Sequence, residues 1–151
     1  MDPNQKTATG LFAEGFSCSQ SVFAAYAEQY GLPVEMALRV SSAFGGGMGR
    51  QGEVCGAASG ALMALGLAHG ATQAADKETK EKTYGLTARF LQEFARQNGA
   101  IRCPELLGCR IDTPEGLELA RQQGLFSSIC PGLVASASGI LEEILAESGQ
   151  E

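Results

Sequence analysis

Four cysteines stand at positions where the sequence predicts that helices begin. Cys103 and Cys130 are each followed by proline, which is favoured in the first turn of a helix. Cys18 follows Ser17, a good capping residue with a glutamine three positions further on, as in a capping box. Cys55 closes a glycine-rich loop and opens a long apolar run. The sequence therefore predicts a cysteine at the amino end of four different helices.

The amino end of a helix favours the thiolate form of cysteine. Free backbone N–H groups and the positive end of the helix dipole stabilise negative charge there, and the thiolate is the form that attacks disulfides and binds metals. The chain has 5 cysteines but only 1 histidine, His69. A histidine-rich metal site and a Ser-His-Asp triad are therefore excluded. The composition indicates a redox or metal site built from sulfur.

The spacing of the cysteines excludes the short motifs of zinc fingers and thioredoxins. No Cys-x-x-Cys pair is present, and the four cysteines at helix starts are 37, 48 and 27 residues apart. The fifth, Cys109, follows Cys103 by 6 residues. A joint site must therefore be assembled by tertiary folding. The alternative is that each cysteine is a small buried hydrophobic residue, a common environment for free cysteine.

A loop rich in glycine precedes the second of these cysteines. It contains Gly47-x-Gly49-x-x-Gly52, the spacing of a dinucleotide-binding fingerprint, but a helix rather than a strand precedes it, so we discount that function. We expect instead a loop that approaches the site closely and contributes cofactor-binding positions at Gly46, Gly47, Gly49 and Gly52. Its backbone N–H groups and Arg50 could form an anion-binding nest. The alternative is an interhelical turn that needs several residues with positive φ.

Charge and composition disfavour some partners and favour a location. The 151 residues carry a net charge of −6, which disfavours binding to nucleic acid or to an anionic membrane, because both require a basic surface. The longest stretch of low polarity, residues 54–68, is shorter than the roughly 20 residues of a membrane-spanning helix, so we expect no membrane insertion. The polar amino terminus shows no signal peptide. We expect a cytoplasmic protein, a location where structural disulfides are rare.

Helical periodicity and helix-capping signals predict an all-α fold. Apolar residues recur at helical spacing in the longer segments, and no stretch alternates as a strand would. The predicted helices span residues 4–14, 18–30, 33–44, 55–69, 74–98, 104–108, 114–123 and 131–147. We expect one domain, residues 1–151, built as a bundle of about six to eight helices. Helix 55–69 is apolar on all sides and rich in small residues, so we place it at the centre.

Four segments of the sequence, taken together, resemble a known family. They are Phe16-Ser-Cys-Ser-Gln-Ser-Val22, Gly52-Glu-Val-Cys-Gly-Ala-Ala-Ser-Gly60, Ile101-Arg-Cys-Pro-Glu-Leu-Leu-Gly108 and Cys130-Pro131. This order of cysteines and glycines resembles the C_GCAxxG_C_C family, which is described as redox-active. The resemblance covers nearly the whole chain, roughly residues 8–145.

The resemblance implies which cysteines are functional. By this match Cys18, Cys55, Cys103 and Cys130 are the family cysteines, both as catalytic thiols and as metal ligands. Cys109 lies outside the pattern, as an extra ligand, a resolving thiol or a bystander. The family also resembles the iron–sulfur part of split-Soret cytochrome c, which implies an iron–sulfur cluster or another thiolate-bound metal as cofactor. The chain has no Cys-x-x-Cys-His, so covalently attached haem c is not expected.

Two classes of function follow from the sequence. In the first, the chain is a small redox protein. Its four cysteines then either ligate an iron–sulfur cluster or exchange dithiol and disulfide forms in electron transfer with an unidentified redox partner. In the second, the chain is a helical interaction module whose cysteines are core residues or bind structural zinc. Whether the chain is an enzyme stays open, and its apolar content is compatible with a homodimer.

Overall fold

A computed structural model describes residues 1–149 of the chain. Within that range there are eight helices of at least five residues and no β-strand, so the predicted all-α bundle is confirmed. The helices are α1 (Pro3–Glu14), α2 (Cys18–Ala27), α3 (Val34–Ser41), α4 (Gly56–His69), α5 (Lys77–Asn98), α6 (Cys103–Leu107), α7 (Pro114–Gln122) and α8 (Cys130–Ser148). Short 3-10 turns follow α2 and α3, at Glu28–Tyr30 and Ser42–Phe44, and a further helical turn, Leu125–Ser128, precedes α8.

Local sequence signals set most of the helix ends. Asp2 and Ser17 each accept a hydrogen bond from the N–H three residues further on, which completes capping boxes at α1 and α2. Glycines in the left-handed conformation end α1, α5 and α6, at Gly15, Gly99 and Gly108. The four selected cysteines stand at helix starts as predicted, three as the first residues of α2, α6 and α8 and Cys55 as the residue that precedes α4.

Helix α4 lies at the centre of the bundle, as predicted. It packs against α2, α5 and α8, and most of its buried residues are alanine or glycine. The neighbouring helices supply the larger core side chains, among them Tyr26, Phe90, Phe94 and Leu141. The carboxyl-terminal end of α4 is less buried than we expected, because Gly66 and Leu67 are exposed.

Two glycines bring the backbones of α2 and α4 into contact. A Cβ atom on Gly60 would lie 2.5 Å from the carbonyl oxygen of Ser19. One on Gly56 would lie 3.1 Å from the Ser19 nitrogen and 3.4 Å from the Cβ atom of Cys18. The distance at Gly60 is shorter than any van der Waals contact, so this position requires glycine. The contact holds the start of α2 beside the start of α4.

The glycine-rich loop folds into a left-handed turn. All five residues of Gly46–Arg50 have φ between 61° and 68°. The Glu53 N–H closes the turn by donating a hydrogen bond of 3.0 Å to the Gly47 carbonyl oxygen. Left-handed backbone costs a residue with a Cβ atom roughly 1–2 kcal/mol, and two residues here, Met48 and Arg50, carry that cost. The run of positive φ explains why this loop is so rich in glycine.

The segment that follows the turn pairs with the segment that precedes α6. Val54 and Arg102 form an isolated antiparallel bridge. The Cys55 and Cys103 N–H groups each donate a hydrogen bond to a carbonyl oxygen of the opposite segment, at 2.8 and 3.0 Å. Successive side chains of an extended segment point in opposite directions. The two cysteines therefore emerge on one face of the bridge, and Val54 and Arg102 emerge on the other.

Residues Leu125–Ser148 are long and apolar enough to cross a membrane, by length and composition only. The run is longer than the apolar stretch 54–68 that stands out in the sequence. Half of its most apolar window is buried inside the bundle, and α8 packs there against α1, α4 and α5. The core helix of a soluble bundle meets the same criterion of length and composition, so this run is weak evidence for a membrane span. The expectation of no membrane insertion stays a prediction.

Replacing Gly60 with alanine is expected to lower the free energy of unfolding by about 1–3 kcal/mol, because the new methyl group collides with the Ser19 carbonyl and pushes α2 away from α4. Gly66→Ala is the matched control in the same helix, since nothing lies within 4 Å of a Cβ atom placed there. We expect the control to raise the free energy of unfolding by about 0.5–1 kcal/mol through helix propensity. Urea unfolding followed by circular dichroism measures both, and equal effects would refute the close contact.

Replacing Met48 with glycine is expected to raise the free energy of unfolding by up to about 1 kcal/mol, because glycine removes the left-handed strain. Met36→Gly is the matched control. The two methionines are similarly exposed, 44% for Met48 and 48% for Met36, but Met36 lies within the right-handed helix α3, where glycine costs about 1 kcal/mol. The same unfolding assay should give opposite signs. A loss of stability in both variants would mean that Met48 is not strained.

Candidate cysteine site

Four thiols line one cavity of about 540 Å³. They belong to Cys18, Cys55, Cys103 and Cys130, which come from the starts of four different helices. Cys55, Cys103 and Cys130 are 1%, 7% and 6% exposed, and Cys18 is half-buried. All four are free thiols. Tertiary folding therefore brings together the cysteines that the sequence singled out, although up to 48 residues separate neighbouring members along the chain.

The four thiols form two neighbouring pairs. Cys55 lies near enough to Cys103, and Cys18 near enough to Cys130, for each thiol to shift the pKa of its partner. The bridge between residues 53–55 and 101–103 builds the first pair, because it turns both side chains to one face. The second pair joins the start of α2 to the start of α8. The contact of α2 with α4 through its glycines holds the two pairs side by side.

The Cys55–Cys103 pair contains one thiol that ionises readily and one that does not. A hydrogen bond with Cys103 lowers the pKa of Cys55, and the backbone N–H groups of Ala57 and Ala58 lower it further. The same hydrogen bond, burial and the charge of neighbouring thiolates raise the pKa of Cys103. Cys55 is therefore the thiolate of this pair, stabilised at the amino end of α4.

The Cys18–Cys130 pair shows the same asymmetry with less help from the backbone. The hydrogen bond with Cys18 lowers the pKa of Cys130. That bond, burial and the charges of the other thiolates raise the pKa of Cys18. At Cys18 and Cys103 the neighbouring thiols and burial therefore outweigh the effect of the helix start that the sequence predicts. Like charges on neighbouring thiols oppose each other, so the arrangement favours one thiolate in each pair.

The glycine-rich turn forms one wall of the cavity, but not through all the predicted glycines. Gly46 and Gly49 line the cavity, together with Gly45, which the sequence placed in the wall of the site but not among the cofactor-binding positions. Gly47 and Gly52 are absent from the lining. A Cβ atom on Gly47 would lie 2.6 Å from a backbone oxygen of the segment that follows the turn. In this fold Gly47 permits close backbone packing and does not face the cavity.

Apolar side chains, two arginines and the polar residues Ser17, Gln20 and Ser42 complete the lining, together with Gly15. The apolar side chains come from several helices and loops: Phe12, Leu106, Leu107, Ile111, Phe126 and Leu133. The charged lining residues are Arg50, from the left-handed turn, and Arg121, from α7. The sequence associated Arg50 with an anion-binding nest. It offered no signal for Arg121, because nothing nearby distinguishes that residue from other exposed arginines on helices.

Cys109 and His69 lie outside the cavity lining. The Cys109 thiol points to the carbonyl oxygens of Arg110 and Gly116, each 3.4 Å away. The His69 Nε2 atom is 2.8 Å from the Ser148 hydroxyl oxygen. Among the roles open to Cys109, the structure therefore favours a bystander over a fifth thiol of the cavity.

Within residues 1–149, no group of three or more His, Cys, Asp or Glu side chains has the arrangement that holds a single metal ion. The donor set nevertheless suits soft metals, since four thiols are the usual complement of an iron–sulfur cluster.

One family model matches most of the chain. Residues 16–144 match the family described as "Putative redox-active protein (C_GCAxxG_C_C)". The matched range contains all four cysteines of the cavity and the glycine-rich turn. Comparisons with curated proteins and with solved structures found no match. Because the family match extends over far more than half of the sequence, the chain belongs to the C_GCAxxG_C_C family.

Proposed function

We propose that this protein carries out two-electron thiol–disulfide exchange through two dithiol pairs, Cys55–Cys103 and Cys18–Cys130. The observation that carries the proposal is the pairing of the four thiols around one open cavity. Two thiols in contact are the unit that forms a disulfide, because the bond requires neighbouring Cβ atoms. Cysteines that serve only as core residues have no reason to share a cavity that opens to solvent, which argues against an interaction module.

In each pair one cysteine attacks and the other resolves. The thiolate of Cys55 or Cys130 attacks one sulfur of a substrate disulfide, R–S–S–R, and releases R–S⁻. The partner, Cys103 or Cys18, loses its proton and attacks the protein sulfur of the mixed disulfide, which releases the second R–S⁻. The pair is thereby oxidised to a disulfide, and its two electrons reduce the substrate to two thiols.

The surroundings of the pairs suit this exchange. The Ala57 and Ala58 N–H groups stabilise the Cys55 thiolate before it attacks. The thiol groups stand on helix starts and on a short bridge, which are rigid elements. The cavity volume of about 540 Å³ falls within the roughly 300–1,000 Å³ of small-molecule sites. A substrate the size of a small organic disulfide can therefore reach the thiols.

An iron–sulfur cluster is the second candidate, and the arrangement in two pairs favours it. Four thiolates complete the ligand set of such a cluster, and in a two-iron cluster each iron takes two protein ligands. Cys55 and Cys103 would hold one iron, and Cys18 and Cys130 would hold the other. The cluster would supply one-electron transfer instead of the two-electron exchange of a dithiol.

Oxidation of the reduced protein with diamide, which takes up two electrons and two protons for each disulfide formed, is expected to give the disulfides Cys55–Cys103 and Cys18–Cys130, because these thiols are neighbours in the cavity. Peptide mapping by mass spectrometry without reduction identifies the products. Cys103→Ser should keep Cys18–Cys130 and leave Cys55 free.

The matched control for this experiment is Cys109→Ser, which removes the cysteine outside the cavity and should leave both disulfides unchanged. Disulfides that join the two pairs, such as Cys18–Cys55, would contradict the assignment of partners. If diamide forms no disulfide and cysteine substitutions only lower stability, the interaction module is the better description of the chain.

Anaerobic incubation with ferrous iron and sulfide tests the second candidate. A cluster held by both pairs should give visible absorption and about two irons per chain, measured by metal analysis. Cys55→Ser should lose the iron, whereas Cys109→Ser should retain it. A colourless, iron-free wild-type protein that still forms both disulfides with diamide would exclude the cluster and leave thiol–disulfide exchange.

A further inference from the structure

We propose that the cavity selects substrates that carry a negatively charged group, a carboxylate or a phosphate, which Arg50 and Arg121 hold while the disulfide of the substrate faces the thiols. The inference rests on the proposed thiol–disulfide exchange and names the chemical class of its substrate: a small anionic organic disulfide. It follows from the charges of the lining, the conformation of Arg50 and the apolar side chains of the cavity wall.

The charge of the lining is the first observation. Arg50 and Arg121 are the charged side chains of the cavity wall, and no carboxylate lines it. Within residues 1–149, neither guanidinium forms an ion pair or a side-chain hydrogen bond. Four other arginines each pair with a carboxylate: Arg89, Arg96, Arg102 and Arg110. The two unpaired guanidinium groups therefore keep all their donors for a ligand.

The two arginines line the same cavity as the four thiols. A ligand that enters this cavity can therefore place its charged group on a guanidinium while its disulfide faces the thiols.

The backbone conformation of Arg50 is the second observation. Its φ of 67° is left-handed, a conformation that costs a residue with a Cβ atom roughly 1–2 kcal/mol. The arginine stem lies over Gly46, where an added Cβ atom would meet the Arg50 Cγ at 2.8 Å. The Arg50 side chain therefore passes over Gly46 and reaches the cavity wall. Strain of this kind is retained where a side chain must occupy a particular place.

The rest of the lining is largely apolar, which suits the aliphatic part of a ligand. Apolar side chains, among them Phe12, Phe126 and Leu133, line the cavity together with the arginines, the thiols and three polar side chains. An aliphatic chain packs well against such a surface. The protein as a whole carries a net charge of −6. The positive charges of Arg50 and Arg121 are therefore a local exception, and they attract anions to this cavity.

The test compares three small aliphatic disulfides that differ in charge. They are dithiodiglycolate, which is anionic, 2-hydroxyethyl disulfide, which is neutral, and cystamine, which is cationic. The rate at which each oxidises the reduced protein is divided by its rate with 2-mercaptoethanol, which corrects for intrinsic reactivity. We expect the corrected rate for dithiodiglycolate to exceed that for cystamine by about tenfold or more at low salt. The ratio should shrink in about 0.5 M sodium chloride, because salt screens exposed charges.

Variants assign the preference to the two arginines. The double variant Arg50→Gln, Arg121→Gln should lose most of the ratio between anionic and cationic probes. Arg39→Gln is the matched control, because Arg39 is also an exposed arginine without an ion pair within residues 1–149, but it lies on α3 away from the lining. This control should keep the ratio of the wild-type protein.

Competition distinguishes carboxylate from phosphate as the recognised group. Acetate and inorganic phosphate are added to the reaction of wild-type protein with dithiodiglycolate at equal ionic strength. Stronger inhibition by phosphate assigns the arginines to a phosphate, and stronger inhibition by acetate assigns them to a carboxylate. The inhibition should disappear in the double variant.

Failure of this inference differs from failure of the proposed function. If none of the three disulfides oxidises the reduced protein, thiol–disulfide exchange itself is wrong. If all three react at equal corrected rates in the wild-type protein, exchange stands and the anionic substrate class is overturned. A ratio that survives in the double variant would also overturn the assignment to Arg50 and Arg121.

Discussion

The backbones of α2 and α4 touch because Gly56 and Gly60 have no side chains to keep them apart, and the whole site depends on that contact. Without it Cys18 would stand a side chain's width further from Cys55, and the four thiols would not share a cavity. The small residues of α4 thus serve packing and chemistry at once. They allow the first half of α4 to be buried. They also allow the start of α2 to lie beside the start of α4. The Gly60 contact is made through backbone atoms, so no rearrangement of side chains can relieve an added methyl group there.

The segment between α3 and α4 holds Cys55 and Cys103 in place. Five consecutive left-handed residues reverse its direction, and the short bridge at Val54 then ties it to the start of α6. This bridge places Cys55 and Cys103 on one face, although they are 48 residues apart. The same turn brings Arg50 to the cavity wall. Two residues with side chains accept left-handed strain of roughly 1–2 kcal/mol each, and the packing of the glycines against the neighbouring backbone keeps them there.

Electrostatics decides how four thiols can share one cavity. Helix starts and backbone N–H groups favour thiolates, but each thiolate opposes the ionisation of its neighbours in surroundings of low polarity. The result is one thiol with a lowered pKa and one with a raised pKa in each pair. A pair of this kind has an attacking and a resolving member before any substrate arrives. Arg50 and Arg121 line the same cavity.

The helices, the central position of α4 and the choice of four cysteines could be predicted from the sequence, because each depends on neighbouring residues. Ser17 caps α2 through contacts within one turn. The many alanines and glycines of α4 indicate from the sequence alone that neighbouring helices can pack closely around it. The pairing of Cys55 with Cys103, the opposite pKa shifts within each pair and the role of Arg121 could not be predicted. They depend on contacts between segments far apart along the chain, and local sequence carries no record of such contacts. The amino-acid sequence by itself determined which residues stand at the helix starts. Only the tertiary structure decided which of them meet, because distances between distant segments are set by backbone packing.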